Sequence, residues 1–213
     1  MILVGQYDSP FTRRVAVSLH LLGMPFARNT DSVFAQADAM RKISPLGRVP
    51  MLILAGGEVL IESSAVLDYL DEQAGPGRAL LPRGGAERRT ALRSIAIATG
   101  GMEKAVAIVY ERVLRPAGKR YEPWLERCQT QLAGALAFLE TEQPSPFVNG
   151  GALTQPDITT ACLVAFLKLR VPDAFPASKF PKLEKLAATA EAHPAFVATR
   201  PSDTDTPPGA FKA

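Results

Sequence analysis

Two serines stand where a side-chain hydroxyl can meet an anion. Ser9 precedes Pro10 at the head of an apolar series, Phe11, Val15, Leu19 and Leu22, which recurs at helical spacing and stops at Gly23. Ser63 follows Glu62 and heads a second helical pattern, with Val66, Leu67 and Leu70 apolar and Asp68, Asp71 and Glu72 polar. Both serines read as N-caps, and Pro10 as a first helical residue, where a missing N–H costs nothing. A helix start carries orphan N–H groups and the positive end of a dipole, so it suits an anion. A third segment, Arg48-Val49-Pro50, is an X–Pro turn entering an apolar run, and only X–Pro bonds adopt cis at modest cost. Taken singly, these residues also read as ordinary structure: two caps, a turn, a solvated Arg48 and a strand-end Glu62.

Other chemistries are disfavoured by what surrounds them. The two cysteines, Cys128 and Cys162, form no CxxC and no metal-ligand spacing, and His20 and His193 lie far apart. Neither a metal site nor a disulfide framework is expected, which suits a reducing compartment. The net charge is +3, without a dense Lys/Arg run or an aromatic-interleaved basic stripe, so no nucleic-acid partner is expected. The start, Met1–Val15, has no basic region followed by a long apolar one, and no later segment has the apolar length of a membrane span. The expectation is a cytoplasmic protein that makes no use of a membrane.

The elements that must position the serines follow from period and punctuation. Ile2–Gly5 and Phe26–Thr30 read as strands, and Phe34–Ile43 as a weak helix. Met51–Ala55 and Glu58–Ile61 flank Gly56-Gly57, a two-residue hairpin signal. Strand, helix, strand, helix, hairpin and helix make a small four-stranded mixed sheet with helices on its faces. Gly75–Gly85 is rich in Gly and Pro. Beyond it strand signals vanish, and helices are expected over Ala86–Val113 (bent at Gly100-Gly101), Tyr121–Glu142, Thr154–Leu169 and Pro181–Glu191. The organisation is therefore α+β in two domains: residues 1–76, a linker 77–86, and an all-helical bundle 87–213. The tail from Pro201, with Pro207-Pro208-Gly209, is expected to be irregular.

Four segments, in order, carry a resemblance: Ser9–Val15, Ser44–Pro50, Glu62–Ala65 and Leu153–Ile158. Each is weak alone; together the chain resembles a serine-type bacterial member of the cytosolic glutathione S-transferases along almost its whole length. The resemblance implies a thioredoxin-like N-terminal domain that binds glutathione as cosubstrate, without a metal, and a helical C-terminal domain. It implies glutathione contacts from Ser9, Phe11, Arg48, Val49, Pro50, Glu62 and Ser63. Ser9 would act on the sulfur, the Val49 backbone would meet the cysteinyl part, and Arg48 would reach the glycyl end. Glu62 would take the γ-glutamyl ammonium, and Ser63 its carboxylate. Tyr7, near the end of the first strand, is the rival sulfur donor, because related classes use a tyrosine there; Thr12 is a third candidate.

The implied chemistry is physically sound. An ordinary thiol has a pKa of about 8.5, so little is thiolate near neutral pH. Lowering it by about two units requires roughly 2.7 kcal/mol of preference for the anion. A hydroxyl donor and the positive end of a helix both act in that direction. Attack on a small hydrophobic electrophile would follow, in a protein expected by resemblance to be a homodimer serving detoxification. Isomerase, dehalogenase and peroxidase chemistry on the same site, or glutathione binding without turnover, remain the alternatives. The chain departs from the disulfide-reducing relatives, which place Cys where Ser9 stands: it has no cysteine before Cys128. In the second domain, Met102, Val106, Val109 and Tyr110, with Trp124, are candidates for an acceptor pocket, though bundle core accounts for most of them. Thr154 and Asp157 read as a capping box without chemistry.

Overall fold

Leu3 and Val4 are consecutive, so they point to opposite faces of their strand, and the first unit is organised around that alternation. The computed structural model describes residues 1–142, 147, 151–202 and 205. The chain forms two compact units. One takes Met1–Leu80 and also the chain from His193 to Asp205; the other is built from Leu81–Ala192. In the first, β1 (Ile2–Val4), β2 (Ala27–Asn29), β3 (Met51–Ile53) and β4 (Val59–Ile61) make a mixed sheet in the order β2-β1-β3-β4. β1 is parallel to β2 and antiparallel to β3, and β3 is antiparallel to β4.

Register sorts the core. Leu3 pairs with Leu52, and both face Val15, Leu19, Val66 and Leu70 of α1 (Pro10–Leu21) and α3 (Ser63–Ala74). Val4 pairs with Met51, and both pack with Met40 of α2 (Ala37–Ile43) on the opposite face. Each fully buried Leu or Val contributes about 1.5–3 kcal/mol relative to exposure, so a one-residue slip of β1 would forfeit both faces together. The hairpin closes at Gly56-Gly57 as expected, with the Leu54 N–H donating to Glu58 O at 2.8 Å.

α1 begins where Ser9 caps it: the Thr12 N–H donates to Ser9 Oγ at 3.3 Å, and Pro10 is in the first turn. α3 differs by one residue from expectation. Its N-cap is Glu62, whose carboxylate accepts from the Ser64 N–H at 3.3 Å, and Ser63 is the first helical residue. The hydroxyl of Ser63 is thereby freed from capping for other partners.

The second unit holds α4 (Gly85–Val113), α5 (Glu122–Glu142), α6 (Gln155–Arg170) and α7 (Pro181–Glu191). Leu125, Cys128, Leu132, Leu136 and Leu139 form the buried stripe of α5, spaced three and four residues apart. α4 is one unbroken helix through Gly100-Gly101. Gly101 permits close packing: a Cβ there would lie 3.0 Å from a Leu163 methyl and 3.4 Å from the Ala135 Cβ. α6 starts at the expected box, where the Thr154 N–H donates to the buried Asp157 carboxylate at 2.9 Å. Of the acceptor-pocket candidates, Met102 and Val109 are buried, Val106 is half-buried, and Tyr110 and Trp124 are exposed.

The expected second domain ran to residue 213, but the contact pattern joins the C-terminal segment to the first unit. α8 (Pro194–Val197) packs on α1. The buried Arg13 of α1 donates through Nε to Thr199 O at 3.0 Å and through Nη2 to Phe196 O at 3.2 Å, with its guanidinium over the Phe196 ring. The Pro207-Pro208-Gly209 stretch lies outside the described residues.

Gly5 is the tightest point of the first unit. Its φ is +134°, and a Cβ there would sit 2.6 Å from Thr12 Oγ1 and 3.0 Å from Val49 Cβ. Gly5→Ala is therefore expected to destabilise by about 1–3 kcal/mol, combining backbone strain with overpacking. Gly56→Ala, with nothing within 4 Å, should stay within about 0.5 kcal/mol. Urea unfolding midpoints of the two variants check both; equal shifts would refute the assignment of Gly5 to close approach.

Candidate functional site

Three backbone features converge on one cleft in the first unit. α1 supplies Phe11 from its first turn; the loop before β3 supplies Ser44, Leu46, Arg48, Val49 and Pro50; the step from β4 into α3 supplies Ile61, Glu62 and Ser63. The cleft is open to solvent, with about 370 Å³ of non-protein space. The Val49-Pro50 bond is cis, as expected, and both residues line the wall. Six of the sequence-derived residues thus come together: Phe11, Arg48, Val49, Pro50, Glu62 and Ser63.

Glu62 is held in an unusual conformation. Its φ is +71°, the one described non-glycine residue on that side of the map. For a residue with a Cβ this costs of order 1–3 kcal/mol, and such strain clusters where a side chain must be aimed. The aim is visible in the hydrogen bonds. The exposed Glu62 carboxylate accepts from Ser63 Oγ at 3.1 Å and from the Ser64 N–H. Behind them lies Arg14, fully buried, which donates to Ser63 Oγ through Nε at 3.1 Å and Nη2 at 2.7 Å, and to Ser64 Oγ at 2.9 Å. The order from interior to solvent is guanidinium, hydroxyl, carboxylate, with the start of α3 beside them.

The sulfur-donor candidates are placed differently from one another. Ser9 is half-buried at the start of α1, two residues before Phe11, and is not itself part of the wall. Tyr7 is buried in the apolar cluster with Leu3, Val15 and Leu19, and the Arg28 guanidinium lies 3.4 Å from its ring centroid. Burial pushes the Tyr7 phenol above its ordinary value; Arg28 opposes this and Asp205 adds to it. Tyr7 does not line the cleft. Thr12 Oγ1 is buried without a hydrogen-bond partner among the described residues, turned toward Gly5.

Comparison with known proteins decides the family. The family model described as glutathione S-transferase, N-terminal domain, matches residues 3–78, and that of the C-terminal domain matches residues 122–187. A crystal structure of a glutathione transferase family member from Pseudomonas fluorescens Pf-5, with bound glutathione, superposes with a TM-score of 0.84 at 33% identity, over 94% of this chain and 98% of that one. The chain belongs to the glutathione S-transferase family. Among curated relatives, the uncharacterised GST-like protein YibF of Escherichia coli is 29% identical over 170 residues, covering 80% of this chain and 83% of that one. Glutathione S-transferase U7 of Arabidopsis thaliana is 25% identical over 189 residues, 86% and 79% respectively. The four-stranded mixed sheet and the helical unit are the thioredoxin-like and all-α parts of the glutathione S-transferase fold.

Four residues at or behind the cleft were not read as contacts from the sequence. Ser44 and Leu46 line the cleft from within the Ser44–Pro50 segment and Ile61 from the end of β4, and the buried Ser44 hydroxyl has no partner among the described residues. Arg14 left a readable signal: Arg13 and Arg14 are the only formally charged residues of α1. A charge on an otherwise apolar helix is either solvated or structurally engaged, and both of these are buried.

Glu62 separates backbone strain from side-chain chemistry. Glu62→Ala and Glu62→Gly both remove the carboxylate and the cap. Only glycine tolerates the positive φ, so the Gly variant should be about 1 kcal/mol more stable than the Ala variant. Thermal or urea unfolding of the pair measures the difference; an Ala variant as stable as the Gly variant would remove the strain from the account.

Proposed function

We propose that the protein is a glutathione transferase of the serine type, activating bound glutathione as a thiolate. The observation that carries the reading is the convergence of the cis Val49-Pro50 loop and the Glu62-Ser63 helix start on one cleft beside the first turn of α1. The bound glutathione of the Pseudomonas fluorescens relative supports the ligand. In this reading the Val49 backbone pairs with the cysteinyl part as one extended segment with another, and Arg48 faces the glycyl carboxylate. The Glu62 carboxylate takes the γ-glutamyl ammonium, while Ser63 and the start of α3 take the adjacent carboxylate. Ser9 donates its hydroxyl proton to the sulfur, because its oxygen already accepts from the Thr12 N–H and its own proton is left for the ligand. The thiol proton leaves to solvent, and the thiolate attacks an electrophilic carbon of a small apolar acceptor, forming the C–S bond as a leaving group departs with its bonding pair or, at an activated C=C, as the π pair is displaced and takes a proton from solvent. Catalysis then rests on orientation and anion stabilisation. Homodimerisation, a cytoplasmic location and a detoxifying role belong to the same proposal and rest on the family resemblance.

The protein's own thiols favour conjugation over disulfide exchange. Cys128 and Cys162 are buried in α5 and α6, and burial pushes the Cys128 thiol up. Thiol–disulfide exchange through the enzyme needs an accessible thiolate, which neither offers.

Two measurements check the proposal. Calorimetry should find one glutathione site, abolished in Glu62→Ala because the ligand ammonium is left unpaired; no binding at millimolar glutathione would end the reading. A Cys128→Ala, Cys162→Ala double variant, shown folded, should keep nearly all glutathione-dependent activity toward a set of electrophiles and peroxides. Loss of that activity with binding intact would make one cysteine catalytic.

A further inference from the structure

The turn that carries Ser9 is held from outside by the chain's own C-terminal segment. The Ser9 N–H donates to Gln6 O at 3.2 Å, closing a turn over Gln6–Ser9. Inside that turn, the Tyr7 N–H donates to Asp205 Oδ1 at 2.8 Å. Beyond Ser9, Arg13 reaches the carbonyls of Phe196 and Thr199. The segment therefore holds the chain on both sides of the serine, at Tyr7 in the turn before it and at Arg13 of α1 after it.

Asp205 is built for this grip. Its side chain is 0% exposed, and both oxygens are engaged. Oδ1 takes the Tyr7 N–H and the Arg28 guanidinium; Oδ2 takes the Ser202 N–H at 3.0 Å and the Ser202 hydroxyl at 2.8 Å. Burial is the largest single influence on this carboxyl and opposes its charge, yet the donors together hold its pKa below the ordinary carboxylate value. Arg28 completes the clamp by stacking on the ring of Tyr7. Backbone and side chain of one residue, two before Ser9, are thus fixed by one ion pair.

We propose that Asp205 is a positioning residue for Ser9, fixing the Gln6–Ser9 turn and with it the direction in which the Ser9 hydroxyl donates. The proposal rests on the reading of Ser9 as the sulfur partner. It has a physical motive. The capping bond on Ser9 Oγ is long, at 3.3 Å, and holds the side chain weakly. A misplacement of about 1 Å at a reacting group can cost as much as 100-fold in rate, so the turn needs a second hold.

The test is a cycle of Ser9→Ala, Asp205→Ala and the double variant, with Asp205→Asn beside it. Each is checked for folding by circular dichroism. The readouts are thiolate absorbance of bound glutathione against pH, kcat and KM, and the glutathione Kd by calorimetry. Asp205→Ala is expected to raise the bound thiol's pKa and lower kcat by about 3- to 10-fold, with Kd changed less than about twofold. Asp205→Asn keeps an oxygen for the Tyr7 N–H and should fall between it and the native protein. In the Ser9→Ala background, Asp205→Ala should add nothing, because its path runs through the hydroxyl. If Ser9→Ala moves the thiol pKa and Asp205→Ala does not, this proposal is overturned and the Ser9 reading stands. An Asp205 effect of undiminished size without the hydroxyl also overturns it. If Ser9→Ala moves nothing, the Ser9 reading falls and takes this one with it. Should Asp205→Ala not fold, the Asn variant carries the same cycle with the same signs.

Discussion

Two adjacent guanidinium groups buried in one helix set the terms for the first unit. Arg13 and Arg14 are consecutive, so they leave α1 about 100° apart. A buried charge is tolerable only where acceptors replace water. Arg13 finds the carbonyls of Phe196 and Thr199 at the end of α8, the negative end of that short helix. Arg14 finds the hydroxyls of Ser63 and Ser64 at the start of α3. Because the two directions are fixed by the helix, satisfying both arginines fastens α1 to α8 on one side and to α3 on the other. The C-terminal segment and the cleft wall are consequences of the same pair.

Between these fastenings the site is drawn mainly in backbone. Gly5 lets the end of β1, the first turn of α1 and the cis-proline loop approach within contact that a Cβ would block. The cis Val49-Pro50 bond turns that loop into the wall. The positive φ of Glu62 throws its carboxylate toward solvent while its chain neighbour Ser63 stays buried. Three special conformations at one end of the sheet and two helix starts give a cleft whose shape depends little on long, mobile side chains.

What was legible in the sequence was local. Caps, an X–Pro turn and a Gly-Gly hairpin act within a few residues, so Ser9, Val49-Pro50 and Gly56-Gly57 could be read where they stand. Short apolar runs and helical stripes likewise placed β1, β3, α3 and α5 within a residue or two. The C-terminal segment was not legible, because its partners lie 183 to 198 positions away and single hydrogen bonds leave no periodicity. The close approach at Gly101 was not legible, because a glycine in a helix can mark a bend or a tight contact, and only the tertiary neighbour Leu163 reveals the contact. The one-residue error at α3 has a similar cause. Ser63 is a preferred N-cap type and Glu62 is not, and the positive φ that makes Glu62 the cap has no sequence signature in a non-glycine residue.

The Arg14–Ser63–Glu62 chain also bears on how the proposed γ-glutamyl site responds to its ligand. Arg14 can only donate, so the Ser63 oxygen is committed as acceptor on its inner side. The hydroxyl has one proton, and in this structure it points to Glu62. A ligand carboxylate arriving alone would therefore meet that proton already spent and an exposed anion beside it. A ligand ammonium changes both: it neutralises Glu62 and gives the carboxylate a better donor than the hydroxyl. The Ser63 proton is then free to turn toward the ligand carboxylate, with Arg14 behind it keeping the oxygen polarised. On this argument the pair discriminates a zwitterion from a simple anion through one rotating proton. The buried arginine that fastens α3 to α1 also sets the polarity of that switch.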